Sequence, residues 1–166
     1  MRRSNVVTKE QFREAMGKFA TGVTVLSLFT PDRGIHGITA NSVCSVSLDP
    51  LLVLACVDRR ANSLPMIKQG GRFVMNILSE GQEEASRYFA GKAKSEHPPF
   101  SFTETLSGWP VLEGCVSYLD CRVVQELEAG DHTVFICAVE EVGVGDGRPL
   151  MYHGAKYVRL PALGHS

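Results

Sequence analysis

The hydrophobic positions of this chain follow a helical period once, near the amino terminus, and mostly a strand-like pattern after that. The helical stripe consists of Phe12, Ala15, Met16 and Phe19. Thr8 and Gln11 have the spacing of a capping box, in which each side chain bonds the backbone N–H of the other residue. The pattern predicts a helix that begins after Thr8 and packs its apolar stripe on the body of the protein.

Strand-like apolar runs follow, separated by turns rich in Gly, Asp and Pro. They are residues 23–28, 51–57, 72–78, 115–124, 133–142 and 157–160. The run 51–57 is continuously apolar, which predicts a strand buried on both faces. Short helices are expected after Asn62 or Ser63 and after Ser79, and residues 92–108 form the longest predicted loop. This order predicts a mainly β protein, a closed or split antiparallel barrel with a few short flanking helices. No G-x-G-x-x-G follows a strand, so a Rossmann site is not supported.

Composition narrows the class of protein further. The 166 residues predict a single domain, 1–166, and 44% hydrophobic with 21% charged residues is typical of a globular protein. A net charge of −1 without a basic cluster predicts no nucleic-acid partner. The absence of a signal peptide and of an apolar run of about 18 residues predicts a cytoplasmic protein without a membrane partner. The five cysteines, which form no C-x-x-C pair, are expected to be buried small apolar residues rather than metal ligands.

Small and hydroxyl side chains occupy the stretch 34–47, where a buried strand would normally carry larger ones. They are Gly37, Thr39, Ala40, Asn41, Ser42, Ser45 and Ser47. Such residues let a flat ligand approach the backbone and bond its polar edge. The same residues would also suit the solvent face of an ordinary antiparallel strand, and composition alone leaves both interpretations open.

A possible anion site follows the run 51–57. Asn62 or Ser63 can cap a short helix, and Arg59 and Arg60 stand just ahead of it. The amino terminus of a helix with arginines beside it attracts a phosphate. The alternative is an ordinary capped turn with solvated arginines.

Five segments of the chain resemble those of one family. They read FATGVTVLS, GITANSVCSVSLDPLLVLACVDRRANS, RFVMNIL, GDHTVFICAVEEV and PLMYHGAKY. In this order the chain, from residue 12 to residue 157, resembles the short-chain flavin reductases, the small reductase components of two-component flavin monooxygenases. The resemblance implies an FMN-binding split barrel that transfers hydride from NADH or NADPH to FMN or FAD. It also implies a homodimer that delivers reduced flavin to a partner oxygenase.

The resemblance further implies which residues form the site. The flavin ring would lie along Thr39, Ala40, Asn41, Ser42, Ser45, Val46 and Ser47. The phosphate end would meet Asp58, Arg59, Asn62 and Ser63, and further flavin contacts would come from Arg87, Phe89, Ala90 and Lys92. The nicotinamide would be flanked by His132, Tyr152 and His153. Because the cofactors carry the reactivity, no catalytic side chain is expected, and His132 is the nearest candidate.

Other interpretations stay open at this point. His132 could be an ordinary turn residue and Arg87 a solvated helix residue. Related split barrels include non-enzymatic flavin- or haem-binding proteins and oxidases of the pyridoxamine-phosphate type. The GDH and MYHG segments favour the reductase, because a pure binder needs no nicotinamide face. Neither the choice between FMN and FAD nor that between NADH and NADPH follows from the sequence.

Overall fold

The computed structural model describes residues 6–92 and 99–161, which contain three α-helices and twelve strands. The helices are α1 (Lys9–Gly17), α2 (Ser63–Gly70) and α3 (Glu83–Arg87), and a π-helical turn at Tyr88–Lys92 follows α3. The first six strands are β1 (Thr21–Gly22), β2 (Thr24–Phe29), β3 (Ile35–Ala40), β4 (Val43–Leu48), β5 (Leu51–Asp58) and β6 (Arg72–Ile77). The others are β7 (Phe102–Glu104), β8 (Pro110–Leu112), β9 (Ser117–Ala129), β10 (His132–Val144), β11 (Met151–His153) and β12 (Lys156–Val158).

Seven of these strands form one antiparallel sheet in the order β3-β2-β6-β9-β10-β5-β4. Its two end strands, β3 and β4, do not pair with each other, yet Ile38 of β3 and Val43 of β4 pack on the same core as Leu26, Phe73 and Phe135. The sheet therefore curls around one core without closing. The prediction of a mainly β split barrel with few helices is confirmed.

A buried amide ties the short hairpin β7–β8 to the centre of the sheet. The Asn76 side chain donates to the Val25 carbonyl (2.9 Å) and to Ser27 Oγ (2.8 Å), and it accepts from the Leu112 backbone N–H (2.8 Å). Because Asn76 is fully buried, these bonds satisfy polar atoms that would otherwise be costly. Residues 102–104, expected to be part of a long loop, are instead strand β7.

Helix α1 begins as predicted but does not pack as predicted. Its capping box is confirmed, since the Gln11 N–H donates to Thr8 Oγ1 (3.2 Å) and the Thr8 N–H donates to Gln11 Oε1 (3.0 Å). The predicted packing of its stripe is wrong for the single chain: no α1 residue is buried and Phe12 is 62% exposed, while Phe19, the last residue of the predicted stripe, follows the end of the helix and is 67% exposed. No described element of the same chain covers this helix face.

Strand β5 also differs from its prediction. Val53, Ala55 and Val57 are buried, but the alternate residues are only half-buried and Leu51 is 53% exposed. The prediction of burial on both faces is wrong, because the face that carries Leu52, Leu54 and Cys56 is only half-buried in the single chain. Continuous apolar composition here thus marks a strand with one partly covered apolar face.

The cysteines follow the expectation at two positions out of five. Cys121 and Cys137 are buried, and burial raises the pKa of both thiols. Cys44 is exposed on the edge strand β4, which corrects the expectation of burial there, and all five cysteines are free. No helix among residues 6–92 and 99–161 combines the length and apolar composition needed to cross a bilayer.

Candidate active site

A cleft of about 540 Å³ opens between the edge strand β3, the connection from β5 to α2, and the π-helical turn. Its lining includes six of the predicted flavin contacts, which are Thr39, Asp58, Asn62, Ser63, Phe89 and Ala90. These residues come from three separate parts of the chain. The structure therefore brings the small-residue stretch, the possible anion site and the segment after α3 to one place.

Gly37 determines the shape of the cleft wall. A Cβ atom at this position would lie 2.6 Å from Phe89 Cδ1, so only glycine lets the Phe89 ring rest on the β3 backbone. Next to it, Thr39 Oγ1 donates to the Ser86 carbonyl at 2.6 Å. As an edge strand, β3 keeps backbone N–H and C=O groups that no neighbouring strand bonds. A flat ligand with a polar edge can use these groups.

The amino terminus of α2 carries a buried hydroxyl that lacks a hydrogen bond. Ser63 is 1% exposed, lines the cleft, and its Oγ has no partner in the described part of the chain. Asn62 is the cap residue but its side chain makes no capping bond, so the prediction of a capped helix is wrong. An unsatisfied hydroxyl at the positive end of a helix suits a phosphate oxygen. The residues present therefore fit the phosphate end of a flavin.

Asp58 and Arg60 form an ion pair at the rim of the cleft. Asp58 accepts from Arg60 Nε (3.1 Å), from Arg60 Nη2 (2.8 Å) and from the Arg60 backbone N–H (2.8 Å). These hydrogen bonds hold the pKa of Asp58 well below its usual range and raise the pKa of Arg60. Both groups are therefore charged at any pH at which the protein would be assayed.

Two predicted residues stand beside this pair rather than in the cleft lining. Arg59 extends to Glu128 (Nη1 to Oε2, 3.7 Å). His132 lies opposite Asp58 in the β5–β10 register, and its Nδ1 bonds Asp131 Oδ1 at 2.8 Å. That bond to the imidazole lowers the pKa of Asp131. His132 is thus paired across the two strands with Asp58, which lies at the rim of the cleft.

The remaining residues predicted to face the flavin ring continue from the end of β3 into β4. They are Ala40, Asn41, Ser42, Ser45, Val46 and Ser47. None of them is among the lining residues of the cleft in the single chain, and most are exposed. Their contact with flavin stays a prediction.

A second cavity, of about 400 Å³, lies on the other side of Ala90, which lines both cavities. Arg87 and Tyr152 line it, together with Tyr157. The Arg87 guanidinium lies 4.8 Å from the centre of the Tyr157 ring, and the Tyr152 and Tyr157 rings are 5.3 Å apart. The structure thus places Arg87 outside the β3 cleft, with Ala90 as its one neighbour among the predicted flavin contacts, and it places Tyr152 in a cavity that His132 does not line. His153 is exposed and is not among the lining residues of either cavity, and the Lys92 side chain lies outside the described residues.

The cleft also contains residues that are not among the flavin contacts implied by the resemblance. They are His36, Gly37, Ile38, Arg60, Ala61 and Gly91. The sequence analysis named Gly37 in the small-residue stretch and Arg60 beside the possible anion site, whereas it missed the other four. For His36 and Ile38 the available signal was their position on either side of Gly37. Burial lowers the pKa of His36. For Arg60, the only signal was its position beside Arg59, and no pattern in the sequence distinguishes the two.

A curled antiparallel sheet that does not close, with a cleft beside its edge strand, defines the split-barrel class of proteins. A family model described as flavin reductase like domain matches residues 16–161. An NADH-dependent flavin reductase of Rhodococcus sp is 38% identical over 161 residues, covering 95% of this chain and 90% of the relative. The 4-hydroxyphenylacetate 3-monooxygenase reductase component of Thermus thermophilus is 37% identical, covering 92% of this chain and 97% of the relative.

A solved structure of a flavin reductase is also similar to this chain. The styrene monooxygenase flavin reductase of Pseudomonas putida S12 matches with a TM-score of 0.85 at 36% identity, over 92% of this chain and 99% of that one. The chain belongs to the flavin reductase-like family. The predicted class of enzyme, an NAD(P)H-dependent flavin reductase, is confirmed.

Proposed function

We propose that this protein binds a flavin nucleotide in the β3 cleft, reduces it, and releases it to a partner monooxygenase. The observation that carries the proposal is the buried, unpartnered Ser63 hydroxyl at the amino terminus of α2. Nothing in the described part of the chain bonds this hydroxyl, so it is available to a ligand oxygen. The names of the relatives, several of them reductase components of monooxygenases, support the same function.

The residues of the chain bind and orient rather than react. Hydride transfer from a reduced nicotinamide to a flavin is the chemistry that the two cofactors supply when bound, and it requires no side-chain nucleophile. Ser63 and the α2 amino terminus would hold the phosphate end. The flat ring system would lie against the part of β3 that lines the cleft, with the Phe89 ring as part of the same wall.

The second cavity is the place we assign to the reduced nicotinamide cofactor. Its position supports this assignment, because Ala90 belongs to both cavities and a ligand in one is a neighbour of a ligand in the other. Tyr152 is the predicted nicotinamide contact that lines it. His132 and His153 do not line this cavity, and their contact with the nicotinamide stays a prediction.

The functional unit is proposed to be a homodimer. The apolar stripe of α1 is exposed and the outer face of β5 is only half-buried in the single chain, and exposed apolar surface marks an association site. If the second copy covers β4, Ser45, Val46 and Ser47 of one copy would lie beside the cleft of the other. The free state of all five cysteines supports a reducing compartment such as the cytoplasm.

Steady-state oxidation of NADH and NADPH by the purified protein tests the function. FMN, FAD and riboflavin are added singly to flavin-free protein. We expect nicotinamide oxidation only when flavin is present, with turnover of many flavin equivalents per protein. Oxidation that is independent of added flavin, or none with any flavin, would contradict the proposal.

A further inference from the structure

One short segment, residues 83–91, forms a wall shared by the β3 cleft and the second cavity. It consists of helix α3 and most of the π-helical turn. Glu83 and Arg87 line the second cavity, and Phe89 lines the cleft. Ala90 lines both. A ligand in either cavity therefore packs against the same short segment.

Ser86 lies inside this wall, where it is fully buried and lines neither cavity. Its backbone carbonyl accepts a hydrogen bond of 2.6 Å from Thr39 Oγ1, and Thr39 lines the cleft. Its hydroxyl forms a hydrogen bond of 2.8 Å with the hydroxyl of Tyr157, which lines the second cavity. A continuous path of hydrogen bonds thus joins the two cavities through Ser86.

Two further contacts hold the Tyr157 ring in place. The Arg87 guanidinium lies 4.8 Å from the ring centre and is itself bonded by Glu83 (Nη2 to Oε1, 2.6 Å). The Tyr152 ring lies 5.3 Å away and meets it edge to face. Because Arg87 holds the face of the Tyr157 ring and Ser86 holds its hydroxyl, a cofactor that packs against this ring also restrains the wall.

We propose that Ser86 is a positioning residue that couples the two cavities, so that a nicotinamide cofactor in the second cavity tightens flavin binding in the β3 cleft. The cofactor restrains the shared wall, and flavin then loses less conformational entropy when it binds to that wall. Coupling of this kind is reciprocal, so flavin tightens the binding of the cofactor by the same factor. This inference rests on the proposed function, since it assumes one ligand in each cavity.

Titration of the flavin-free protein with FMN, with and without NAD+, tests the coupling. NAD+ is the probe because it cannot reduce the flavin, and its own binding is measured by a separate titration so that a saturating concentration is used. For the parent we expect NAD+ to tighten FMN binding by about fivefold or more.

Ser86→Ala removes the hydroxyl and keeps the carbonyl that Thr39 bonds. The affinity for FMN alone should therefore change by less than about twofold, while the tightening by NAD+ should also fall below about twofold. A general disturbance of the fold would weaken FMN binding in the absence of NAD+ as well. The dependence of FMN affinity on NAD+ thus separates a positioning role from a merely structural one.

Two further variants sharpen the test. Tyr157→Phe removes the same hydrogen bond from the other side, so it should lose the coupling too, and the double variant should lose no more than Ser86→Ala alone. Tyr118→Phe is the matched control, because the tyrosine hydroxyl that it removes bonds Glu141 (2.7 Å) and Tyr118 lines neither cavity. This variant should show the coupling of the parent.

Several outcomes would overturn the inference. NAD+ that does not bind, that leaves the FMN affinity of the parent unchanged, or that competes with FMN would show that the cavities are not coupled in this way. Full coupling in Ser86→Ala would show that Ser86 does not carry it, and a loss in Tyr157→Phe alone would show that Tyr157 acts by direct contact. The proposed function is judged separately: if the parent oxidises NADH with FMN, the reductase assignment stands whatever the coupling.

Discussion

The Phe89 ring lies directly on the backbone of Gly37, where a Cβ atom would come within 2.6 Å of its Cδ1 and 2.8 Å of its Cε1. The two residues are distant in sequence and both line the cleft. Phe89 is also 6% exposed and belongs to the second apolar core, with Val25, Leu78 and Leu150. The ring therefore cannot turn away without disturbing that core.

This contact predicts that Gly37→Ala narrows the cleft and strains the fold. We expect a loss of about 1–3 kcal/mol in the free energy of unfolding, the usual cost of overpacking, together with weaker flavin binding. Denaturant unfolding and flavin titration measure the two effects. Adding Phe89→Leu should recover part of the stability, because the smaller side chain yields to the new methyl group.

Gly22→Ala is the control for this experiment. Gly22 also lies in a strand, β1, but no atom is within 4 Å of the position of its Cβ. It should therefore change stability little. A Gly37→Ala variant as stable as Gly22→Ala would show that the Phe89 contact does not constrain position 37.

The contact also shows what the sequence could and could not predict. Local signals predicted the capping box of Thr8 and Gln11 and the antiparallel strands, because each depends on residues close together in the chain. The contact between Phe89 and Gly37 depends on how α3 packs against the sheet. No local sequence pattern carries information about that packing. The orientation of Arg60, rather than Arg59, toward the cleft is a tertiary property of the same kind.

The errors have a common physical cause. The apolar composition of the α1 stripe and of the run 51–57 predicts burial, yet in one chain the stripe is exposed and one face of the run is only half-buried. Periodicity shows which residues avoid water but not which surface covers them. Similarly, Asn62 has the composition of a capping residue, but its helical backbone angles (φ −60°, ψ −26°) take its side chain out of capping geometry.

Ser63→Ala should weaken FMN binding by about 1.5 kcal/mol, roughly tenfold, because it removes a hydroxyl that would bond a charged phosphate. Riboflavin, which has no phosphate, should bind the variant and the parent equally. The flavin-free variant should be at least as stable as the parent, since the hydroxyl it loses is buried and unpartnered. Equal losses for FMN and riboflavin would show that Ser63 acts through the fold instead.

Asp120→Asn should destabilise the protein by about 3 kcal/mol, because it breaks a buried ion pair. Asp120 is 1% exposed, and Arg72 Nη1 bonds both of its carboxylate oxygens at 2.9 Å. Denaturant unfolding measures the change. Glu126→Gln is the matched control: its pair with Lys68 is exposed, so it should cost less than about 1 kcal/mol. Similar effects of the two variants would contradict this account.

His36 predicts a pH dependence of stability. Burial lowers its pKa from the ordinary 6.5, so the unfolded chain binds a proton that the folded chain does not. Stability therefore decreases as the pH falls through about 6.5 and levels off below the folded pKa of His36. Asp58 and Arg60, the charged side chains that share its cleft, keep their charges through this range.

Unfolding free energies of the parent and of His36→Gln, measured from pH 8 to pH 5, isolate this effect. The difference between the two proteins should shift in favour of the variant as the pH falls, since glutamine does not titrate. A difference that stays constant over the whole range would show that His36 is protonated as readily in the folded chain as in the unfolded one.

The exposed stripe of α1 predicts that Phe19→Ser weakens self-association. Phe12, Met16 and Phe19 are 62%, 51% and 67% exposed, and a second copy of the chain is the proposed cover. By sedimentation, the parent should stay near twice 18.1 kDa at micromolar concentration, and Phe19→Ser should shift toward 18.1 kDa. Leu106→Ser is the control, because Leu106 is 96% exposed but lies in the connection between β7 and β8, outside this apolar stripe. If the interface helps to form the flavin site, the flavin affinity of the parent falls when dilution separates the subunits. A parent that sediments as a monomer with undiminished affinity would rule out the dimer and, with it, any contribution of Ser45, Val46 and Ser47 to the cleft of a second copy.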